Sequence, residues 1–272
     1  MIRLEITLLN FAFFLIFLPT EICAQKNEIG VFMGSSGYKG DIGNQKIGYI
    51  FKNQSFSTGV VYKNNINEYL SLRSSFKYGK LSANDSESEN PSIQERNLNF
   101  KSFIYDLNIG FEFNFFKFKF SSRRKISTPY LYGGISIFKF NPMGQNFNGE
   151  WLYLQTISTE GQSINQQYKL ISWSLPFGFG YKTQLKNKLS MGIEWIWHKT
   201  YTDFLDDVSS YYPEAELLSQ EAYEINYQNN QIITPGKSRG NPNNNDWFNF
   251  FGITFTYKIK NRSIKCPKEL LY

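Results

Sequence analysis

The chain has 272 residues, 18% of them aromatic and 19% charged, with 29 basic against 23 acidic side chains, and a mean hydropathy of -0.40. This length suits a single β domain, and low hydropathy beside so many aromatic residues requires apolar and polar positions to be finely interleaved. A bundle of spanning helices is excluded beyond the N-terminus, since each would need about 20 consecutive apolar residues, and the basic balance alone supports no nucleic-acid reading.

At the N-terminus, Arg3 precedes an apolar run from Leu8 to Leu18 that is short for a membrane span, and Ile22-Cys23-Ala24 follows. The pattern is that of a secretory signal, residues 1–24, cleaved after Ala24. Lipidation of Cys23 is a poor fit, because Ile22 and Glu21 stand where small residues belong. With Cys23 removed, Cys266 is the single thiol of a chain delivered to an oxidising compartment, and no intramolecular disulfide can form.

The rest of the chain carries a period of two. Phe103, Tyr105, Leu107, Ile109, Phe111 and Phe113 alternate with Asp106, Asn108, Gly110 and Glu112. Ile171, Trp173, Phe177, Phe179 and Tyr181 alternate with Ser172, Ser174, Gly178 and Gly180, and Phe251, Ile253, Phe255 and Tyr257 with Gly252, Thr254 and Thr256. Successive side chains of a strand point to opposite faces, so each segment has one apolar wall and one small or polar wall. Eight such strands are predicted, at about 28–34, 56–63, 68–80, 98–116, 128–140, 170–183, 188–201 and 247–260. Short turns near 64–67, 117–127 and 185–187 alternate with long loops over about 35–55, 81–97, 141–169 and 202–246.

These features predict an all-β fold: an eight-stranded antiparallel transmembrane β-barrel in the cell outer membrane, with short periplasmic turns and long external loops. The barrel domain covers 25–260 and a periplasmic tail 261–272. Its apolar wall would face lipid, and its interior, just wide enough to be filled by side chains, would pair Arg73, Lys77, Asp106, Glu112 and Glu194. His198, the sole histidine, faces inward on the same reckoning. Barrel hydrolases that place a His beside a Ser or Asp make an enzyme conceivable, but a lumen histidine in a polar network is the more ordinary outcome. No catalytic residue, cofactor or metal is therefore assigned.

Two loop segments stand out. Ser36-Gly37-Tyr38-Lys39-Gly40-Asp41 follows strand one, and Thr202-Asp203-Phe204-Leu205-Asp206-Asp207-Val208-Ser209 follows strand seven. Closure of a barrel pairs the first strand with the last, which brings both segments to one mouth. Asp41, Asp203, Asp206 and Asp207 could gather oxygen ligands for Ca²⁺, without EF-hand spacing, or serve turns and caps, with Arg239 as an ion-pair partner. Pro213 suggests a short helix within Glu214 to Asn226.

On the opposite rim, Lys117, Lys119, Arg123, Arg124 and Lys125 crowd one turn, Lys186 and Lys188 another, and Lys258, Lys260, Arg262, Lys265 and Lys268 the C-terminal end. Two readings stand side by side: a basic rim meeting lipid phosphates, or a docking surface for a periplasmic partner built from Arg123, Arg124, Lys125, Arg262, Lys265 and Cys266.

Glu28-Ile29-Gly30 leading to Tyr38-Lys39-Gly40-Asp41, the Thr202–Ser209 segment, Arg239-Gly240-Asn241, Asp246-Trp247-Phe248 and the closing Cys266-Pro267 together resemble the PorG family of type IX secretion. Phe204 and Phe248 stand where that family leads us to expect Tyr. The resemblance implies a non-enzymatic outer-membrane barrel associated with a periplasmic ring of the lipoprotein PorK and of PorN, serving protein export and, in some bacteria, gliding. Its partners would be such ring proteins and outer-membrane lipid, with no nucleic acid and no small-molecule substrate, and Cys266 would form an intermolecular disulfide with a ring lipoprotein. The alternative is a stand-alone structural or binding barrel whose function resides in its external loops.

Overall fold

The computed structural model describes residues 26–44, 53–121, 125–163, 165–227 and 234–259. The expected signal segment and C-terminal tail lie outside these. The elements in chain order are β1 (Lys26–Lys39), β2 (Ser55–Asn65), β3 (Leu70–Asn84), α1 (Pro91–Arg96), β4 (Asn99–Asn114), β5 (Ser127–Lys139), β6 (Pro142–Gln145), β7 (Trp151–Tyr153), α2 (Leu154–Ile157), β8 (Ile171–Lys186), β9 (Leu189–Thr200), α3 (Gln220–Asn226) and β10 (Trp247–Lys258).

The long strands pair antiparallel in the order β3-β2-β1-β10-β9-β8-β5-β4, and β3 pairs with β4 to close the ring. The result is a closed barrel of eight strands. Closure gives every long strand a neighbour on both sides. The predicted strands all form, with two differences. β1 runs on to Lys39, which pairs with Trp247, so Ser36 to Lys39 belong to the barrel wall rather than to a loop. The loop after β5 carries a small hairpin, β6–β7, added to the edge of β4 at Lys101 and Ser102. One seam is imperfect: the β5–β8 ladder skips Gly134 and Ile135, opposite the stretch holding Pro176, whose nitrogen has no hydrogen to donate.

Burial decides which wall faces out. Leu107 is 59% exposed, Ile137 61% and Phe179 56%, whereas Asp106, Glu112 and His198 on the alternate faces are 0% exposed. The apolar wall is outside. No helix among the described residues is long and apolar enough to cross a membrane, and the crossing is made by strands. The apolar belt is bounded by aromatic side chains: Tyr62, Tyr181 and Tyr257 lie towards the short turns, while Trp173, stacked on Tyr201 at 3.8 Å, lies towards the long loops. Such girdles sit at the two lipid–water interfaces of a membrane barrel.

The interior has two storeys. On the short-turn side it is ionic. Arg73 makes a two-pronged contact with Glu194, at 2.8 and 2.7 Å, and Lys77 joins the same carboxylate at 3.1 Å. Lys63 at 2.7 Å and Lys182 at 2.5 Å hold Glu112, and the Tyr130 hydroxyl donates to Glu194 at 2.8 Å. Buried charges persist only when paired and hydrogen-bonded in this way. Towards the long loops the lumen is instead plugged by Phe32, Phe100, Ile104, Phe138, Phe140, Phe248 and Phe250, a packed core continuous with Ile42, Leu98, Leu205 and Val208 in the loops above. The sequence reading took the inward faces as small or polar. The structure corrects it: the inward faces turn apolar at their loop ends, because those ends must pack beneath folded loops.

Candidate functional site: the outer cap

The long loops fold into a cap whose framework is the set of motif residues singled out in the sequence. Tyr38, the last inward-facing residue of β1, donates its hydroxyl to Asp206 Oδ2 and lies 3.3 Å from Asp246 Oδ1, so one phenol bridges the loop after β9 to the residue before β10. Backbone donors complete both carboxylates. Ile42 N (3.2 Å) and Val208 N (2.9 Å) donate to Asp206, and Leu205 N (3.0 Å) donates to Asp246. Gly40 is required by close approach: a Cβ there would collide with Asp246 Oδ1 and the Tyr38 hydroxyl.

A second knot is centred on Arg239. Its Nε donates to Asn226 Oδ1 at 3.0 Å, Nη1 to Glu160 Oε1 at 3.1 Å and to the Asp207 carbonyl, and Nη2 to Asp207 Oδ2 at 3.3 Å. Thr159 and Tyr168 also donate to the Asp207 carboxylate, the latter at 2.6 Å. Asp207 sits at φ +71°, a left-handed conformation that Asp tolerates better than most residues. A third knot joins Arg96 to Asp85 (Nε to Oδ2 2.7 Å, Nη2 to Oδ1 2.9 Å), to the Asp41 carbonyl (2.7 Å) and to the Arg239 carbonyl. Asp41 Oδ2 in turn accepts from Asn241 N at 2.6 Å.

All eight loop-motif residues, Tyr38, Gly40, Asp41, Asp203, Asp206, Asp207, Arg239 and Asp246, thus meet in one cap, as closure of β1 on β10 requires. The anticipated Arg239 ion pair is made, to Asp207 and also to Glu160. The Ca²⁺ reading gains no support: among the described residues no group of three Asp, Glu, His or Cys side chains is placed to hold a metal ion. Hydrogen bonds to backbone and hydroxyl donors already occupy most of these oxygens. Asp203 differs, since neither of its oxygens makes a hydrogen bond of good geometry, Ser209 being the side chain that approaches it.

Burial governs the electrostatics. It pushes the Asp206 carboxyl up to about 8, with Asp41 adding to the effect, and Asp203 up to about 7. Asp246 is raised well above the usual carboxylate range by burial and by Asp206 beside it. Burial also lifts Asp207 to about 6 against the pull of Arg239. Arg239 itself stays charged: burial opposes its cation, but Asp207 and Glu160 outweigh it.

Arg96, Asp85, Glu160 and Asn226 were not anticipated. Asn90-Pro91 was the available signal for Arg96, because an Asn cap followed by Pro at the first helical position opens α1, which carries it. Glu160 and Asn226 left no local mark. The helix expected between Glu214 and Asn226 forms over its second half as α3, capped by Ser219, and buries Ala222 and Ile225 while Leu217 stays exposed.

The lumen histidine is not arranged as a Ser-His-acid relay. Ser174 Oγ (3.1 Å) and Asp106 Oδ1 (3.5 Å) both approach His198 Nδ1, whereas a Ser-His-acid relay needs nucleophile and acid on opposite ring nitrogens. Phe248 stacks on the imidazole at 4.2 Å and shuts it beneath the aromatic plug. Of the expected partner contacts, Lys125 is exposed on the turn before β5. Arg123, Arg124, Arg262, Lys265 and Cys266 lie outside the described residues. The other lysines of the two turns, Lys117, Lys119, Lys186 and Lys188, project from the same rim.

The family described as "Domain of unknown function (DUF6089)" matches residues 7–268. No curated protein matches the chain. Among solved structures, Neisserial surface protein A (NspA) is similar at 10% identity and a TM-score of 0.42, over 86% of this chain and 97% of that one. Ail, the attachment invasion locus protein of Yersinia pestis, is similar at 10% identity and 0.40, over 87% and 100%. The outer membrane protease OmpT from Escherichia coli is similar at 6% identity and 0.41, over 88% and 100%.

Proposed function

The chain belongs to the DUF6089 family, and we propose that it is a non-enzymatic barrel of the bacterial outer membrane that anchors a periplasmic assembly, in particular a PorK- and PorN-like ring of type IX secretion. The observation that carries this reading is the filled lumen. Ion pairs occupy its lower storey and seven aromatic or aliphatic side chains its upper one, so cargo cannot pass through the barrel, and function must lie on its outer surfaces. The apolar belt fixes it in lipid, and the basic rim is what it offers beneath. Clustered lysines steer an acidic or phosphate-bearing partner to that rim. The motif residues that resemble the PorG family, now seen to build one cap, support the secretion role, and Cys266 beyond the last strand would add a covalent link to a ring lipoprotein.

Amine-reactive cross-linking of native membranes, followed by purification of the full chain and identification of its partners, tests the reading. Recovery of periplasmic ring proteins is expected, as is loss of export when the chain is deleted. A Cys266→Ser protein should lose a reducible high-mass band in non-reducing electrophoresis. If deletion leaves export intact and no periplasmic protein is captured, the second reading takes over: a stand-alone barrel acting through its outer loops. That reading is favoured by the degree to which the cap is built, with buried side chains of four loops cross-linked by Arg96 and Arg239.

A further inference from the structure

Between α1, the start of the first loop and the segment 237–241, the cap holds a cavity of about 290 Å³ that opens on the outer face of the protein and is walled by Asp41, Arg96, Tyr212, Lys237, Ser238 and Asn241. Its walls are preorganised. Arg96 ties α1 to Asp41 and Arg239, Asn241 is held by Asp41, and Tyr212 is fixed by its backbone to Lys237 and Gly236, at 2.9 Å each. A rigid wall loses little ordering entropy when a ligand arrives.

The chemistry of the walls selects the ligand. Both guanidinium groups are matched by acids, Arg96 by Asp85 and Arg239 by Asp207 and Glu160, so the cavity is not an anion trap. It instead presents a mixture: a carboxylate, hydroxyls, an amide, an ammonium and the wall of a tyrosine ring. The Tyr212 hydroxyl is buried and has no hydrogen-bond partner among the described residues. That oxygen is sealed from solvent, and the groups a ligand meets directly are the exposed Lys237, Ser238 and Asn241, which between them donate and accept. Sugar hydroxyls do both, and a few convergent polar side chains beside a tyrosine ring suit them.

We propose that this outer cavity is a saccharide site, taking one or two sugar units of a cell-surface glycan. The proposal is independent of ring anchoring, which concerns the opposite rim. The glycan could belong to a lipid-linked polysaccharide of the same membrane or be a free oligosaccharide, and the assay separates the two. The full chain, purified in detergent, is titrated calorimetrically with delipidated surface polysaccharide, with a panel of free mono- and disaccharides, and with inorganic phosphate and sulfate. Saturable binding of at least one sugar is expected; binding by the polysaccharide alone assigns the site to surface glycan, and binding by free sugars to soluble ones. Asn241→Ala and Ser238→Ala should each weaken binding about tenfold or more. Both replace exposed side chains of the cavity wall and leave the barrel's heat-modifiable migration on gels unchanged, which separates lost recognition from lost folding. Absence of binding across sugars and polysaccharide would overturn the proposal. So would binding by phosphate or sulfate alone, or sugar binding that neither variant alters.

Discussion

Tyr38 is the single side chain on which the cap turns, because its hydroxyl serves carboxylates from two different chain segments at once. Replacing it by Phe leaves Asp206 and Asp246 buried side by side without that donor. A buried carboxylate left short of a hydrogen bond costs about 1–3 kcal/mol. Tyr38→Phe should therefore speed hydrogen exchange in residues 202–209 by about 5- to 150-fold, with the strands unaffected; unchanged exchange there would mean that the loops hold without it. The same carboxyls give the cap a pH dependence of definite sign. Asp203 and Asp206 are raised to about 7 and 8 in the folded cap, above an unfolded value of about 3.9. The folded form thus binds the extra protons, and its stability falls as pH rises from about 4 through 8. Exchange in this segment, corrected for intrinsic rates, should be slowest in mild acid and accelerate between pH 6 and 8; a cap that tightens over that range would reverse the assignment. In the lumen, Arg73→Ala would strand Glu194 and Glu112 without their guanidinium. Breaking a buried pair from one side costs about 3–5 kcal/mol, and the midpoint of heat modifiability should drop accordingly, whereas no shift would mean that the ionic storey contributes nothing to stability.

At the level of elements, the strands were legible in the sequence because lipid demands strict alternation. Phe103 to Phe113 against Asp106 to Glu112 on β4 is a signal that few other arrangements produce. Alternation failed as a guide where both faces are apolar. At 247–251 aromatic residues fall on both parities, with Phe248 and Phe250 inward and Phe251 outward, and Phe138 and Phe140 close β5 in the same manner. A run of aromatics at a loop-side strand end was the available sign of the plug. The β6–β7 hairpin had its own sign in Asn148-Gly149, with Gly149 at φ +81° as a tight turn requires. The cap's membership was readable from the motif residues, but Glu160 and Asn226 act through long-range contacts that leave no local pattern. The outer wall makes a prediction of its own. Leu107→Arg, at 59% exposure in the belt, places a charge against acyl chains at a cost of about 2–4 kcal/mol near the bilayer midplane. Urea-dependent folding into liposomes should shift by that amount, while Lys117→Arg, which keeps a charge on the exposed rim, should be silent. Equal behaviour of the two would deny lipid contact at residue 107.

The whole molecule combines three layers with separate tasks: a basic rim below, an apolar belt with a sealed core in the middle, and a rigid cap above. Sealing has a direct electrical consequence. Reconstituted in planar bilayers, the barrel should show no stable conductance, and a steady channel would mean that the ionic and aromatic storeys part in lipid. The layers are separable by design, since the rim and the cap share no residues and are joined only through the strands. The proposed anchoring from below and the proposed recognition from above should therefore be lost one at a time. All of this depends on the barrel wearing its apolar face outward, and a nitroxide scan of β4 tests that most directly. Spin labels placed singly at 103 to 113, in a chain whose two cysteines are replaced by serine, are measured for collision with oxygen in the bilayer. The account predicts high oxygen accessibility at 103, 105, 107, 109, 111 and 113 and low accessibility at 104, 106, 108, 110 and 112. The inverse alternation, or uniform access to a water-borne reagent along the strand, would contradict it.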